Sequence, residues 1–399
     1  MRHLLVMMND GVFSRRTGAG RANENMLQFI GSMGDHWARV TIVATKVSPD
    51  SPAWDERVWR RTEALLSKGG WDLLEIPNGY ELRGRYAGIA EWSAISHAAS
   101  DLASRVTPDN SRSATGLLSS DVPFLGVVCP RGVTWLHVTH TLATLQAPDD
   151  ADWCRWEVEA YGTWLARNGR LAVPSNFLRT SLLASWPDLA SRVSLWRYGF
   201  PISELRALPV EDKERRSVLA YGRALPRKGL HLVVAAVDML QASGLQIRLT
   251  LIAIPEAGAD DYFRQLSGVA DASASTRLLT SRVEDMSALY GHDDLAAVVV
   301  PSMDEPTGLA PVETYCWGAG AVPVVVDSGG LVESVDHATG IVAKGWDAQS
   351  LAEAIRAAVE LSVMDRFRMV EAGRQRFLRD YHLHRNAVQA MTACGLLGS

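Results

Sequence analysis

The chain has 399 residues, 47% of them hydrophobic and 21% charged, and a formal net charge of −5. One hydrophobic core rarely serves so long a chain, so two domains of about 200 residues each are expected, and a wholly disordered chain is excluded. The acidic balance argues against a nucleic-acid partner. The longest apolar runs, such as LAAVVV at 295–300, fall far short of the ~20 residues of a membrane helix, so no integral membrane segment is expected.

In chain order, the expected strands are HLLVMM (3–8), RVTIVAT (39–45), DLLEI (72–76), ATGLLS (114–119), VTWLHV (133–138), RLAVP (170–174) and RVSLW (192–196). Helical periodicity covers 22–33, 55–67, 86–105 and 153–168. The alternation restarts after 217 with SVLAYG, IRLTLIAI (247–254), LAAVVV (295–300) and VPVVV (322–326). Strands apolar on both faces and separated by helices imply parallel sheets covered on each side. The segment 197–217 carries Gly199, two prolines and a charge run and reads as a connector. The fold class is therefore α/β, with two doubly wound Rossmann-like domains facing a central cleft. Their expected extents are 1–200 and 201–380, with a helix at about 381–399 packing back onto the first. Ligands in such sheets bind beyond the carboxyl ends of the strands.

Three constellations stand at strand ends in the second half. PSMDEPTGLAPVETYCWGAG (301–320) follows LAAVVV. It offers Glu305 in a loop, a turn through Pro306 and Gly308, and Glu313 in the first turns of a helix whose N-terminus suits an anion. The plainer alternative makes Glu313 a helix-start acid and Glu305 a solvated residue. In VLAYGRALPRKGLHLVVAAV (218–237), Arg223, Arg227 and Lys228 gather before a helix. Cations at a helix N-terminus make sense if an anion lies between them and the helix end; a solvated basic turn is the alternative. DSGGLVESV (327–335) places Gly329 and Gly330 after VPVVV, where backbone can approach a ligand closely.

The first half is less explicit. Gly18 and Gly20 precede a helix but lack the spacing, the third glycine and the acidic strand end of a dinucleotide fingerprint. They read as a glycine loop facing the cleft. In GVTWLHVTHTL (132–142), His140 lies just past a strand and His137 within it. Eleven of the 13 tryptophans precede residue 200. Most are expected in cores, while one or two aromatic faces suit sugar stacking on an acceptor side. The four cysteines, Cys129, Cys154, Cys316 and Cys394, form no CxxC pair, and MRHLLVMMND shows no cleavage-like site. A reduced, cytoplasmic setting is expected.

Taken in this order, the motifs resemble the family-4 (group 1) retaining glycosyltransferases of GT-B fold. GRALPRKG is similar to the family's Gly-Arg-x4-Lys-Gly element, PSMDEPTGLAPVE to its Pro-Ser-x2-Glu-x7-Glu element and SGGLVESV to its Gly-Gly-x-x-Glu element. GVTWLHVTH, AVPSNFLR and LWRYGFPISEL follow the family order in the first half. The resemblance implies a hexosyltransferase using a nucleotide-diphosphate sugar, with a UDP-sugar favoured over a GDP- or ADP-sugar and no metal. It implies that Arg223, Lys228 and Gly18 or Gly20 meet the donor diphosphate, that Glu313 holds the ribose, and that His140 and Glu305 act at the transferred sugar. Thr307, Gly308, Leu309, Gly329 and Gly330 form the loops around sugar and phosphate. Thr307 replaces a usual aromatic, and RLTLIAIPEAGADD lacks the usual Gly-x-Gly end. The expected partner besides the donor is a small polar acceptor such as an aminoglycoside-type intermediate in antibiotic biosynthesis, with a homodimer as one assembly. The alternatives are a GT-B sugar-nucleotide epimerase and a catalytically silent homologue acting as a partner protein.

Overall fold

The computed structural model describes residues 2–14, 18–51, 53–78, 88–167, 169–207, 214–256, 258–281, 283 and 285–397. Residues 15–17 beside the expected glycine loop, the start of the expected 86–105 helix and the middle of the expected connector (208–213) lie outside them. The chain forms two compact units, Met1–Tyr198 with Leu383–Ser399, and Gly199–His382.

The first unit holds strands β1 (Arg2–Met7), β2 (Trp37–Thr45), β3 (Asp72–Ile76), β4 (Thr115–Ser120), β5 (Thr134–Val138), β6 (Arg170–Val173) and β7 (Val193–Leu195). Their order in the sheet is β3-β2-β1-β4-β5-β6-β7, and the pairings are parallel. The second unit holds β8 (Ser217–Arg223), β9 (Arg248–Ile254), β10 (Thr276–Leu279), β11 (Leu295–Val300), β12 (Val322–Val326) and β13 (Ile341–Ala343), ordered β10-β9-β8-β11-β12-β13, again parallel. Central β4, β11 and β12 are buried along their whole length; β11 and β12 are accordingly apolar without alternation, whereas β4 (TGLLSS) buries Thr115, Ser119 and Ser120 as well. The strands absent from the sequence reading, β10 and β13, are short edge strands with half-exposed residues, TRLL and IVA. One open side removes the continuous apolar run that marks a central strand. In each sheet the strand order reverses beside the first strand, at β1/β4 and at β8/β11, the switch points where an α/β sheet opens a crevice.

Five helices position the residues discussed below: α1 (Gly18–Ser32), α2 (Glu56–Gly69), α3 (Leu230–Ala242), α4 (Leu309–Trp317) and α5 (Leu383–Ala393). Asp55 caps α2 by accepting from the backbone N–H groups of Arg57 and Val58, and Gly70 ends it in the left-handed conformation at φ 58°. α3 buries one face, Leu230, Val233, Val234, Ala236, Val237 and Leu240, and leaves Asp238 and Met239 exposed, as its amphipathic sequence leads one to expect. The expected connector is partly core, since Tyr198 and Phe200 are buried and the Phe200 ring meets Trp317 edge-on at 5.0 Å.

α5 completes the first unit. Ala387, Met391 and Leu396 are wholly buried, and a Cβ on Gly116 in β4 would fall 2.6 Å from Leu396 Cδ2. Met391→Ala is expected to destabilise the first unit by about 2–4 kcal/mol through the cavity it leaves. Urea unfolding followed by tryptophan fluorescence measures this, because most of the tryptophans lie in that unit.

Candidate functional site

In the second unit, three strand ends converge. β8 ends at Arg223, and a single 3₁₀ turn, Pro226–Lys228, leads through left-handed Gly229 (φ 62°) into α3. β11 leads into the loop carrying Glu305, Thr307 and left-handed Gly308 (φ 69°), which caps α4. β12 leads to Gly329 and Gly330. The loops are stitched together: Met303 N–H donates to Arg227 O (2.8 Å), Asp304 N–H to Ser328 Oγ (2.8 Å) and Gly330 N–H to Glu305 O (2.6 Å).

The anion inferred beside the basic turn is supplied by the chain itself. Lys228 Nζ donates to Glu305 Oε2 in an ion pair whose side chains are only 15% and 18% exposed. Burial pushes the Glu305 carboxyl up, but Lys228, Arg227 and Arg223 outweigh it and hold it below its ordinary 4.5. An ammonium has three N–H donors, so one bond to Glu305 leaves others for a ligand. Arg223 lies 3.5 Å from Glu256, a partner that no sequence motif marks. Gly329 and Gly330 admit a close backbone approach, but to the chain's own loop: a Cβ would stand 2.5 Å from Glu305 O at Gly329 and 2.7 Å from Pro306 O at Gly330. Thr307 is half-buried, and Leu309 starts α4 and packs against the core.

Glu313 sits one turn into α4. Its Oε2 accepts from Tyr221 Oη, while Tyr290 Oη lies 3.2 Å from the same oxygen and 2.6 Å from Tyr221 Oη. Burial raises both tyrosines well above their ordinary 10, so both stay protonated donors. They fix the carboxylate through one oxygen. Tyr290 ends a short helix, Met286–Tyr290, that no sequence motif marks.

In the first unit, His140 lies two residues beyond β5. Its Nδ1 meets Tyr198 Oη, and its Nε2 meets Asn23 Oδ1 (3.0 Å) and Ser120 Oγ (2.5 Å). Asn23 Nδ2 donates to Asp10 O and Asp121 Oδ1, so Oδ1 faces the imidazole and places its proton on Nε2, with Tyr198 donating to Nδ1. Burial pushes His140 down to about 3, and the ring is neutral. His137 is buried in the sheet, bonded to Ser119 Oγ at 2.9 Å, and burial likewise lowers it to about 3. Gly18 and Gly20 are not in a loop; they form the first turn of α1. A Cβ at Gly20 would meet the Asp10 carboxyl, with Cγ at 2.4 Å, so a side chain there would displace that carboxyl. Asp10, Asn23, Ser120, Asp121 and Tyr198 escape sequence reasoning, as their roles depend on contacts across the sheet edge.

Residues 202–376 match the family model described as glycosyl transferases group 1. The match takes in 175 of the 399 residues, a little under half of the chain. Over 153 residues the chain is 34% identical to a glycogen synthase of Variovorax paradoxus, covering 36% of this chain and 30% of that protein. Over 197 residues it is 27% identical to a glycogen synthase of Desulforudis audaxviator, covering 48% and 38%. The chain thus spans well under half the length of these curated relatives. A crystal structure of Anabaena HepE in complex with UDP and glucose superposes over 100% of both chains with a TM-score of 0.73 at 15% identity. Sucrose-phosphate synthase from Thermosynechococcus elongatus superposes over 98% of both with 0.71 at 17% identity. At these identities the likeness concerns the fold, which is GT-B. The group 1 stretch contains the strand-end loops of β8, β11 and β12 described above. Among the described residues no cluster of His, Cys, Asp and Glu could hold a metal, and no helix is long and apolar enough to cross a membrane.

A buried pair of this kind is strongly coupled. Lys228→Met alone and Glu305→Gln alone are each expected to cost about 3–5 kcal/mol, and the double variant far less than their sum. Because the folded carboxyl of Glu305 lies below its unfolded value, the pair's contribution is complete at neutral pH and falls away as pH drops below about 4.3. Denaturant unfolding of the four proteins at pH 7 and pH 3.5 checks both points.

Proposed function

We propose that the protein is a retaining glycosyltransferase that moves a sugar from a UDP-sugar to a hydroxyl of a polar acceptor. The observation that carries this reading is the arrangement at β8, β11 and β12. Two cations, Arg223 and Lys228, stand beside a helix start, with a carboxylate, Glu313, one turn into the adjacent helix. In this reading Arg223 and Lys228 grip the diphosphate, and the free oxygen of Glu313 accepts from the ribose hydroxyls. The UDP in complex with HepE, and the UDP-2-fluoro glucose bound to a trehalose-6-phosphate protein of E. coli with a TM-score of 0.69, support the uridine donor.

Breaking a glycosyl–phosphate bond puts positive charge on the sugar and negative charge on the leaving diphosphate. Fixed cations aimed at the diphosphate lower the barrier, each such group being worth about 3–4 kcal/mol. Glu305 serves twice: it fixes Lys228, and its carboxylate opposes the positive charge growing on the sugar carbon. His140, neutral and held by Tyr198 and Asn23, presents a polar ring to the sugar without repelling that charge. Gly18, Gly20 and the nearby Asp10 carboxyl are left out of the diphosphate grip, because a carboxylate at that helix start opposes a second anion. Thr307, Gly308, Leu309, Gly329 and Gly330 shape the loops that hold these groups. Neither the family model nor the relatives' names carry an antibiotic-pathway acceptor, and that expectation is not carried forward.

Calorimetric titration with UDP and 2′-deoxy-UDP tests the ribose assignment. Glu313→Ala is expected to weaken UDP binding about 10- to 100-fold, the worth of a charge-assisted hydrogen bond. The wild type should bind 2′-deoxy-UDP correspondingly weakly. Equal affinity of wild type and variant for UDP overturns the reading. In turnover, His140→Ala should lower kcat by at least about tenfold with little change in donor KM.

A further inference from the structure

The first unit contains an open cavity of about 400 Å³ at the carboxyl ends of β2 and β3, outside every motif used above. Its floor is aromatic. Phe13 is 2% exposed and lies against both Trp54 (centroids 5.9 Å, planes 28° apart) and Trp59 (5.5 Å, 18°), and the two indoles are 5.5 Å apart. The indoles are half-buried, so part of each ring faces the cavity.

The platform is rigid. Asp55 N–H donates to Phe13 O (2.9 Å), Trp59 N–H to Asp55 O (3.0 Å) and Thr62 Oγ1 to Val12 O (2.8 Å), which locks the segment after β1 onto the first turns of α2. Trp54 Nε1 donates to Glu56 Oε2 at 3.1 Å, fixing that ring from its edge. The cavity rim is polar and of mixed charge: Lys46, Ser48 and Glu75 line it. An aromatic floor whose two indoles tilt 43° to each other, with donors and acceptors around the edge, matches a pyranose, which offers a C–H face and an equatorial ring of hydroxyls. An aliphatic ligand would use the floor and leave the rim idle.

We propose that this cavity is a saccharide subsite that stacks one pyranose ring of the acceptor on Trp54 and Trp59. Its place in the sheet adds a length. β2 and β5 are three strand spacings apart in the order β2-β1-β4-β5, so the cavity lies about 14 Å from the β5 end that carries His140. No single ring reaches both. The acceptor is therefore an oligosaccharide or a glycoconjugate of more than one ring, held at a ring remote from the hydroxyl that reacts. The acceptor role rests on the glycosyltransferase reading above; the saccharide site itself does not.

The test is saturation-transfer NMR on the full chain without donor, using maltotriose, cellotriose, chitotriose and glucose as probes, with UDP titrated in parallel. At least one trisaccharide should bind, with saturation on its C–H protons, and more tightly than glucose. Trp59→Ala should weaken that binding by about tenfold or more, and Trp59→Phe much less. Glu75→Ala, at an exposed rim position, should weaken it several-fold without any question of misfolding. UDP affinity should not change in any of the three variants. The inference is overturned if none of the trisaccharides binds, or if both Trp59→Ala and Glu75→Ala bind them as the wild type does. Trisaccharide binding together with no UDP binding would leave the subsite standing and remove the donor reading.

Discussion

Parallel pairing is the constraint on which the rest depends. With the strands of each sheet running in one direction, their carboxyl ends share one edge, and the loops leaving them become neighbours. Residues far apart in sequence meet there because of topology alone: Arg223 and Lys228 after β8, Glu305 and Glu313 after β11, Gly329 and Gly330 after β12. Short connections and buried strands leave these loops little freedom, so a few backbone hydrogen bonds suffice to fix charged side chains.

The two units use this edge differently. In the second, cations are held in place by carboxylates, Lys228 by Glu305 and Arg223 by Glu256. The Lys228–Glu305 pair is the more buried of the two, and the Lys228 ammonium has three N–H donors, only one of which goes to Glu305. In the first unit the corresponding helix start, α1, already has the Asp10 carboxyl against Gly20. Asp121, bonded by the Asn9 and Asp10 N–H groups, is raised to about 7 by burial and by the nearby Asp10. Under the proposed function, that edge takes the neutral, hydroxyl-rich acceptor beside an uncharged His140, and the second edge takes the diphosphate.

The central strands and the C-terminal motifs were legible because their signals are local. The fully buried strands β11 and β12 are apolar at successive positions, and a helix entered through Gly308 or Gly229 needs glycine for its left-handed backbone. β10 and β13 were not legible, since an edge strand half open to solvent has no such run. The meaning of Gly329 and Gly330 was half legible: the close approach is real, but the group approached is the Glu305–Pro306 backbone. Tyr290 and Asn23 gave no signal, because a tyrosine in a short helix or an asparagine in a long one is ordinary until the fold places it against Glu313 or His140. The same holds for Trp54 and Trp59, two of many tryptophans until three rings are seen to share one wall.

The return of the chain to the first unit has a consequence for synthesis. The second unit is continuous in sequence, from Gly199 to His382, and holds all its strands by the time that stretch has left the ribosome. The first unit, although begun earlier, lacks α5 until then, and with it the buried side chain of Met391 and, just beyond the helix, Leu396, which lies against Gly116 of β4. The unit translated first is therefore finished last. A nascent chain stalled before Leu383 would present an open apolar groove on an otherwise formed sheet, a state that chaperones and proteases recognise. The closing helix thus makes the integrity of the first unit depend on completion of the second.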